Sequence, residues 1–272
     1  SLKLKSAVEL RTFKLTNKID VDDTKLAGAT ISLYKGSSLV TQMQSDGNGD
    51  FVIDVPANGD YILSVSYSGC NTKKFAISTI GVPPEIAKDN YKPTFGIEGV
   101  IMAKAFPTID YSILKQPLAR IVYTSNGKKF DDEQSYTNQM LTELSRIRDA
   151  ENVLMNNFTS TNNTGDVALS KGDCPLAKAS YEKAMTIING EPYPSQQLPK
   201  VGDCLKAKEL ADKKALDEAN TKSNEAKLAA EKAEADRLAK EASTKAKAES
   251  EKTEAKKRED EKIAKQKAEA EK

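Results

Sequence analysis

Residues 225–248 read EAKLAAEKAEADRLAKEASTKAKA, and this composition runs from about Leu205 to Lys272. The stretch contains no Pro or Gly and consists mainly of Ala, Lys and Glu, which are strong helix formers. Opposite charges recur four residues apart with the acid first, and each such pair stabilises a helix by about 0.2–0.5 kcal/mol. These pairs are Glu218–Lys222, Asp236–Lys240, Glu241–Lys245, Glu254–Arg258 and Glu261–Lys265. The sequence predicts one uninterrupted helix, which at about 1.5 Å per residue is roughly 100 Å long.

Large apolar residues are sparse in this predicted helix, with Leu228, Leu238 and Ile263 far apart. A heptad coiled coil needs apolar a and d positions over three or four heptads, and this segment lacks them. The pattern therefore favours a single solvated helix. A loose coiled coil or higher oligomer is the first alternative, and disorder is the second, because so few hydrophobic residues bury little surface.

The overall composition excludes several classes of function. The chain of 272 residues carries 41 basic and 40 acidic side chains, whereas a nucleic-acid-binding protein usually has a basic excess. The chain has no His, so the usual general base and the commonest metal ligand are missing. No apolar run approaches the roughly 20 residues of a membrane helix. We therefore predict a protein that is not an enzyme, with no catalytic, cofactor-binding or metal site.

Residues 1–83 show the period-two alternation that is typical of half-buried strands. The alternating apolar positions are Phe13, Leu15, Ile19, Ala29, Ile31, Leu33, Phe51, Ile53, Val55, Tyr61, Leu63, Val65 and Tyr67. Turn signals are expected at Asp22-Asp23, Lys35-Gly36-Ser37, Asp46-Gly47-Asn48-Gly49 and Asn58-Gly59. Strands at this spacing predict an antiparallel β-sandwich.

Three motifs in this region resemble the carboxypeptidase-regulatory-like family. They are LAGATI at 26–31, SDGNGDF at 45–51 and VPANGDY at 55–61. The resemblance implies a seven-stranded, prealbumin-like sandwich of the kind found in secreted or envelope proteins. It also implies an accessory module without catalytic activity.

The second motif also resembles the start of a calcium-binding loop. Asp46, Asn48 and Asp50 match the first three ligand positions, but Phe51 and Ala57 stand where that loop needs Gly and Glu. A hairpin turn explains the same residues, and we favour it.

Residues 84–130 are predicted to extend the sandwich. Two β-like runs, Phe95–Phe106 and Ala119–Tyr123, occur here, and the second is apolar at nearly every position, as in a strand covered on both faces. We expect this segment to pair with an edge of the sandwich or to attach it to the helices.

Residues 131–219 are predicted to be helical. Tyr136, Met140, Leu141, Leu144, Ile147, Ala150, Val153 and Leu154 form one apolar stripe on a helix of about 25 residues. Asn156–Gly165 is expected to break it. After a second helix that ends near 190–194, Ser195 is expected to cap a third helix, with Pro199 in its first turn. Val201, Leu205, Ala207, Leu210 and Ala211 are then expected to pack on Ala177, Tyr181 and Ile187–Ile188.

Part of this region resembles a tetratricopeptide repeat. Gly165, Ala168, Gly172, Ala177, Tyr181 and Ala184 lie at that family's spacing, whereas Cys174 and Asn189 depart from it. The resemblance implies that the small residues let two helices approach closely while Tyr181 fills the gap between them. Only one copy is present, and about three are needed for a stable array. We therefore expect a helical hairpin covered by its neighbours and not a peptide-binding groove.

The three cysteines leave two interpretations open. The tripeptide Gly-Asp-Cys occurs at 172–174 and again at 202–204, and a helical hairpin turning near residue 191 would place Cys174 and Cys204 about one turn apart. They form either a disulfide in an oxidising compartment or two small buried thiols. Cys70, at a strand end, is either a half-buried small residue or a reactive thiol.

These observations divide the chain into a sandwich at 1–83, an extension at 84–130, a tetratricopeptide-like domain at 131–219 and an extended helix at 220–272. The stretch 193–201, YPSQQLPKV, resembles a segment of Bacteroidota gliding and type IX secretion proteins. The composition of the last helix is similar to that of the periplasm-spanning helix of the Tol-system energy transducer. We expect a scaffold of the periplasm or cell envelope whose partners are other envelope proteins. The alternative is a homo-oligomeric fibre or sheath subunit whose C-terminal helices bundle.

Overall fold

The computed structural model describes residues 1–88, 96–126 and 128–270, and it places a β-sheet region before three long helices. The strands are β1 Leu2–Leu15, β2 Ile19–Lys25, β3 Thr30–Lys35, β4 Ser38–Gln44, β5 Asp50–Val55, β6 Asp60–Ser66, β7 Lys73–Ser78, β8 Val100–Ala103, β9 Arg120–Thr124 and β10 Lys129–Asp132. The helices are α1 Pro84–Lys88, α2 Gln134–Ser170, α3 Cys174–Ile187 and α4 Pro192–Ala270, with a 3₁₀ turn at Ser112–Lys115. By its contacts the chain divides into Ser1–Cys204 and Leu205–Lys272.

Two mixed sheets share one apolar core. One sheet has the order β2-β1-β5 with β8 beside β1, and the other has the order β10-β9-β7-β6-β3-β4. The inward-facing residues alternate along the strands as the sequence predicts; fully buried examples are Leu4, Ile31, Ile53, Leu63 and Ile77. The predicted fold class, a β-sandwich followed by a helical hairpin and a long charged helix, is confirmed.

The extension pairs with the sandwich, as expected. Strand β8 runs parallel to β1, and β9 runs parallel to β7, whereas every pairing within β1–β7 is antiparallel. The sandwich therefore has more strands than the seven that the family resemblance implies. Within β9 only Ile121 is buried, so the prediction of a strand covered on both faces is wrong. Phe95, the expected start of the first run, lies outside the described residues.

The first hairpin turns earlier than the sequence predicts. It reverses at 16–18, where the Thr16 N–H donates to the Lys18 carbonyl at 3.0 Å, so no single strand spans Phe13–Ile19. The turn expected at Asp22-Asp23 is wrong, because both residues lie in β2. Strand pairing places Asp23 opposite Arg11, and the two side chains form an ion pair at 2.7 Å.

Helix α2 is continuous through Asn156–Gly165, where we expected a break. Several of its polar side chains make hydrogen bonds without interrupting the helix. The Thr161 hydroxyl donates to the Asn157 carbonyl at 2.7 Å, and the fully buried Asn162 donates its amide N–H to the Thr16 carbonyl at 3.0 Å. Back-bonding of this kind makes hydroxyl side chains compatible with a helix interior.

The buried face of α2 differs from the predicted stripe. Leu141 and Val153 are exposed, and Met155 and Phe158 are buried instead. These two residues belong to a second core where the helices meet the end of β1; its buried members are Leu15, Phe106, Met155, Phe158, Ala184 and Ile188. The strands and the first two long helices therefore pack as one body, and this contact decides which side of α2 is apolar.

Candidate functional site

The turn between α2 and α3 is built by local chemistry. Gly172 has a positive φ of 74°, a conformation that glycine adopts without a steric penalty. The Asp173 carboxylate then caps α3 by accepting the Leu176 N–H at 3.2 Å. A Cβ on Gly172 would meet nothing within 4 Å, so Gly172 shapes the turn and takes no part in the predicted packing between helices.

The other residues singled out for hairpin packing lie in the contact between the helices. Ala177, Tyr181 and Ala184 are fully buried along one face of α3. Gly165 on α2 provides the close approach, because a Cβ there would lie 2.7 Å from Tyr181 Cε1. The absence of a side chain at Gly165 therefore leaves room for the Tyr181 ring between α2 and α3.

One carboxylate joins four elements of the body. Asp166 Oδ1 accepts the Tyr181 hydroxyl at 2.6 Å, and Asp166 Oδ2 accepts the Tyr193 hydroxyl and the Asn17 amide, both at 2.8 Å. We call these four residues the Asp166 cluster; it links α2, α3, the first turn of α4 and the β1–β2 turn. Burial, followed by the bond to Asp166, raises the pKa of Tyr193 to about 12 and also raises that of Tyr181. Both phenols therefore keep their protons and donate at neutral pH.

A disulfide closes the same region. The structure joins Cys174 at the start of α3 to Cys204 on α4, with Cα atoms 5.8 Å apart. Cys174 is buried and Cys204 is half-buried. Together with the Asp166 cluster, the bridge fixes the first turns of α4 to the hairpin.

Helix α4 begins earlier than predicted. It starts at Pro192, so 190–194 do not simply end the preceding helix, and Ser195 lies in the first turn instead of capping it. The Ser195 hydroxyl donates to the Pro192 carbonyl at 2.8 Å. Pro192 is tolerated because the first N–H groups of a helix have no intrahelical acceptor. Pro199, which we expected in the first turn, lies inside the helix.

Only the start of α4 is buried. Val201 packs with Ala177 and Tyr181 as expected. The predicted packing of the residues beyond it is wrong; Leu205, Ala207, Leu210 and Ala211 are exposed. The amphipathic pattern therefore ends about three turns into the helix.

From Leu205 to Ala270 every described side chain is exposed and the backbone is helical throughout, as the composition predicts. Of the expected ion pairs, Glu254–Arg258 forms at 3.8 Å, and the other four are absent from the ion pairs of the described helix. Arg237 instead pairs with Glu234 and Glu241. Exposed ion pairs add little to stability. The helical conformation of this segment is therefore stabilised mainly by the intrinsic helix propensity of its residues.

The remaining predicted sites have structural explanations. Asp46 Oδ1 accepts the N–H groups of Asn48 and Asp50, which makes the calcium-like motif a tight turn. Cys70 is a half-buried free thiol, and burial raises its pKa, which disfavours the reactive thiolate. Within residues 1–88, 96–126 and 128–270, no group of three or more His, Cys, Asp or Glu side chains could hold a metal ion.

Among the helices of the described residues, none combines the length and apolar character that crossing a membrane requires. No protein-family model matches the chain, and no curated protein matches it either.

Proposed function

We propose that this chain is a non-enzymatic scaffold of the bacterial cell envelope, which docks through Ser1–Cys204 and spans distance with the helix that follows. The observation that carries the proposal is the exposed helix from Leu205 to Ala270. At about 1.5 Å per residue it measures roughly 100 Å, far more than a small domain needs for its own packing.

The length of this helix supports a role as a spacer. Isolated helices are marginal in water unless they are long and rich in strong helix formers. This segment meets both conditions and contains no Gly or Pro to act as a hinge. A stiff helix of this kind can hold two binding partners a fixed distance apart without any catalytic residue.

The disulfide supports a location outside the cytoplasm. Disulfides persist in oxidising compartments and are rare where glutathione and thioredoxin keep thiols reduced. The Cys174–Cys204 bridge is consistent with an extracytoplasmic location, and we place the protein in the periplasm or cell envelope. Other envelope proteins, including gliding or type IX secretion components, are the proposed partners, on the strength of the quoted sequence resemblances alone.

Spin-label distances test the stiffness of the helix. Labels at Ser223→Cys and Ser250→Cys, in a Cys70→Ser background, should give a narrow distribution near 40 Å if the helix is straight. A flexible chain of the same length would give a broad distribution near 30 Å. The broad result would contradict the spacer.

Two tail variants in the native cell test the function. Deleting 226–247 removes about six turns and roughly 33 Å, and it shifts the helical phase by only about 40°. A matched control shuffles the same residues at constant length. The measurement is mass spectrometry of the partners that cross-link near the tail. If the helix is a spacer, the deletion should change these partners and the shuffle should leave them unchanged. Unchanged partners in the deletion variant would overturn the proposal.

A homo-oligomeric fibre or sheath subunit is the second candidate, and the large apolar residues of the helix favour it. At about 100° per residue they fall within one arc of about 140°. They are Leu205, Leu210, Leu216, Leu228, Leu238 and Ile263, all exposed. The occupant of this arc would be a second copy, because 19 basic and 17 acidic residues from Leu205 to Lys272 leave little net repulsion between like helices.

Light scattering after size exclusion separates the two candidates. A stable monomer of 29.6 kDa supports the scaffold and rules out the bundle. If the protein is larger, Leu228→Glu should dissociate it, whereas Ala229→Glu, on the opposite side of the helix, should not.

A further inference from the structure

A cleft of about 360 Å³ lies between α2 and the strands, within Ser1–Cys204. Ile101 and Leu114 contribute apolar surface on one side, and Leu144 and Ile147 contribute it on the other. This volume is at the lower end of the 300–1,000 Å³ that is typical of small-molecule sites. The cleft therefore has room for a small ligand with an apolar body.

The helix side of the cleft is one continuous face. Leu144, Ile147, Glu151 and Met155 follow each other at three- and four-residue spacing, which aligns their side chains on α2. None of these residues belongs to the Asp166 cluster or to the exposed helix. The cleft is therefore separate from the features that carry the proposed scaffold function.

Two of the charged groups in the cleft are already engaged. Arg11 donates to both oxygens of Asp23, at 2.8 and 2.7 Å. The Glu151 carboxylate accepts the Tyr111 hydroxyl at 2.7 Å. The only carboxylate lining the cleft thus has a partner, and its bond with Tyr111 fixes its position.

Two cations in the cleft are not engaged. Lys73 is half-buried, and Arg148 is exposed at the rim. Within the described part of the chain, neither side chain makes a hydrogen bond or ion pair with another residue. Burial is the main cause that lowers the pKa of Lys73, with Arg11 and Arg148 acting in the same direction and Glu151 against it. An anion placed here would offset this unfavourable environment.

We propose that the cleft binds a small amphipathic carboxylate, with its apolar body between Ile101 and Ile147 and its carboxylate between Lys73 and Arg148. Charge-assisted hydrogen bonds to a carboxylate are short and strong, and an arginine fork can hold both oxygens. A cationic ligand of the same size would meet two unpaired positive charges, and a neutral one would leave both unpaired.

Octanoate is the probe, and isothermal titration calorimetry of the full chain is the measurement. We expect octanoate to bind with one site per chain, acetate to bind at least tenfold more weakly because it lacks the apolar body, and octylamine not to bind. Octanol that binds as tightly as octanoate would overturn the proposal, because the affinity would then owe nothing to the carboxylate.

Single substitutions locate the site. Lys73→Met should weaken octanoate about tenfold or more, in line with the loss of one charge-assisted bond. Arg148→Met should weaken it less, because Arg148 lies at the exposed rim. Lys74→Met is the matched control, because alternation along β7 places Lys74 on the opposite face, and it should bind like wild type. Equal affinity in wild type and the Lys73→Met, Arg148→Met double variant would overturn the proposal.

Two further measurements use the wild-type protein, so they test the proposal even if a variant fails to fold. In wild type, saturating octanoate should raise the Tm, and acetate at the same concentration should not. Cross-peaks of the Ile101 and Ile147 methyl groups should shift on titration, because these methyls line the cleft. Unchanged methyl signals together with an unchanged Tm would show that the cleft is not the binding site.

Discussion

The Tyr181 ring of α3 lies so close to Gly165 of α2 that a Cβ on Gly165 would be 2.7 Å from Tyr181 Cε1. The ring cannot move aside, because Tyr181 is fully buried and its hydroxyl donates to Asp166 at 2.6 Å. Glycine has a low helix propensity, but the close contact between α2 and α3 requires it at position 165.

Gly165→Ala is expected to destabilise the protein. Alanine would normally stabilise a helix interior by about 0.5–1 kcal/mol relative to glycine. Here overpacking against Tyr181 should cost about 1–3 kcal/mol and outweigh that gain. Gly202→Ala on α4 is the matched control, because a Cβ there meets nothing within 4 Å, and it should be neutral or stabilising. Equal stability of the two variants in urea unfolding would contradict the close contact.

Removing the Asp166 carboxylate should loosen the whole hairpin. Asp166→Ala leaves the hydroxyls of Tyr181 and Tyr193 and the amide of Asn17 without their acceptor, and we expect a loss of about 2–3 kcal/mol. Asp149→Ala, at an exposed position on the same helix, should change the free energy of unfolding by less than about 0.5 kcal/mol. Similar urea midpoints for both variants would show that the cluster contributes little.

The Tyr193 phenol should make stability depend on pH in the alkaline range. Its pKa is raised to about 12 in the folded protein, against about 10 in an unfolded chain. The folded state therefore holds this proton more tightly, and its contribution is complete below pH 10 and is lost as the pH rises from about 10 to about 12. Over that window the free energy of unfolding should fall more steeply in wild type than in Tyr193→Phe, by up to about 1.4 kcal/mol per pH unit.

The comparison has an internal control. Below about pH 9 the difference between wild type and Tyr193→Phe should stay nearly constant, because the phenol is then almost fully protonated in both the folded and unfolded states. Parallel curves through pH 12 would mean that folding does not raise the pKa of this group. Tyr181 remains in both proteins, but Tyr193 adds to the rise in the pKa of Tyr181, so the difference between the two curves also includes the coupling between the two phenols.

Local patterns predict much of this fold. Alternation of apolar residues locates most of the strands, because one face of each strand must be buried. The composition after Leu205 predicts a helix whose backbone needs no partner. The repeated Gly-Asp-Cys tripeptide identifies two cysteines that the structure joins in a disulfide.

The errors arise where distant residues decide the local structure. The asparagine-rich stretch in α2 has the composition of a helix break. In the structure it stays helical, and Asn162 donates a hydrogen bond to the Thr16 carbonyl, 146 residues away. Asp22-Asp23 looks like a turn until strand pairing places Asp23 opposite Arg11. Asp166 gave no signal in the sequence, because its three donors come from separate elements. One-dimensional patterns do not contain these relationships.

The disulfide should be the largest single covalent contribution to the stability of Ser1–Cys204. It closes a loop with a sequence separation of 30 residues, for which loop entropy gives about 3–4 kcal/mol. Cys174→Ala with Cys204→Ala should therefore lower the Tm by roughly 10 °C, and reducing the wild type should have a similar effect. Cys70→Ser, which leaves the bridge intact, is the control and should change the Tm by only a few degrees. Thiol titration of the denatured, unreduced protein should find one free thiol, that of Cys70. Three titratable thiols, or a Tm insensitive to reductant, would show that the bridge does not hold the start of α4 to the hairpin.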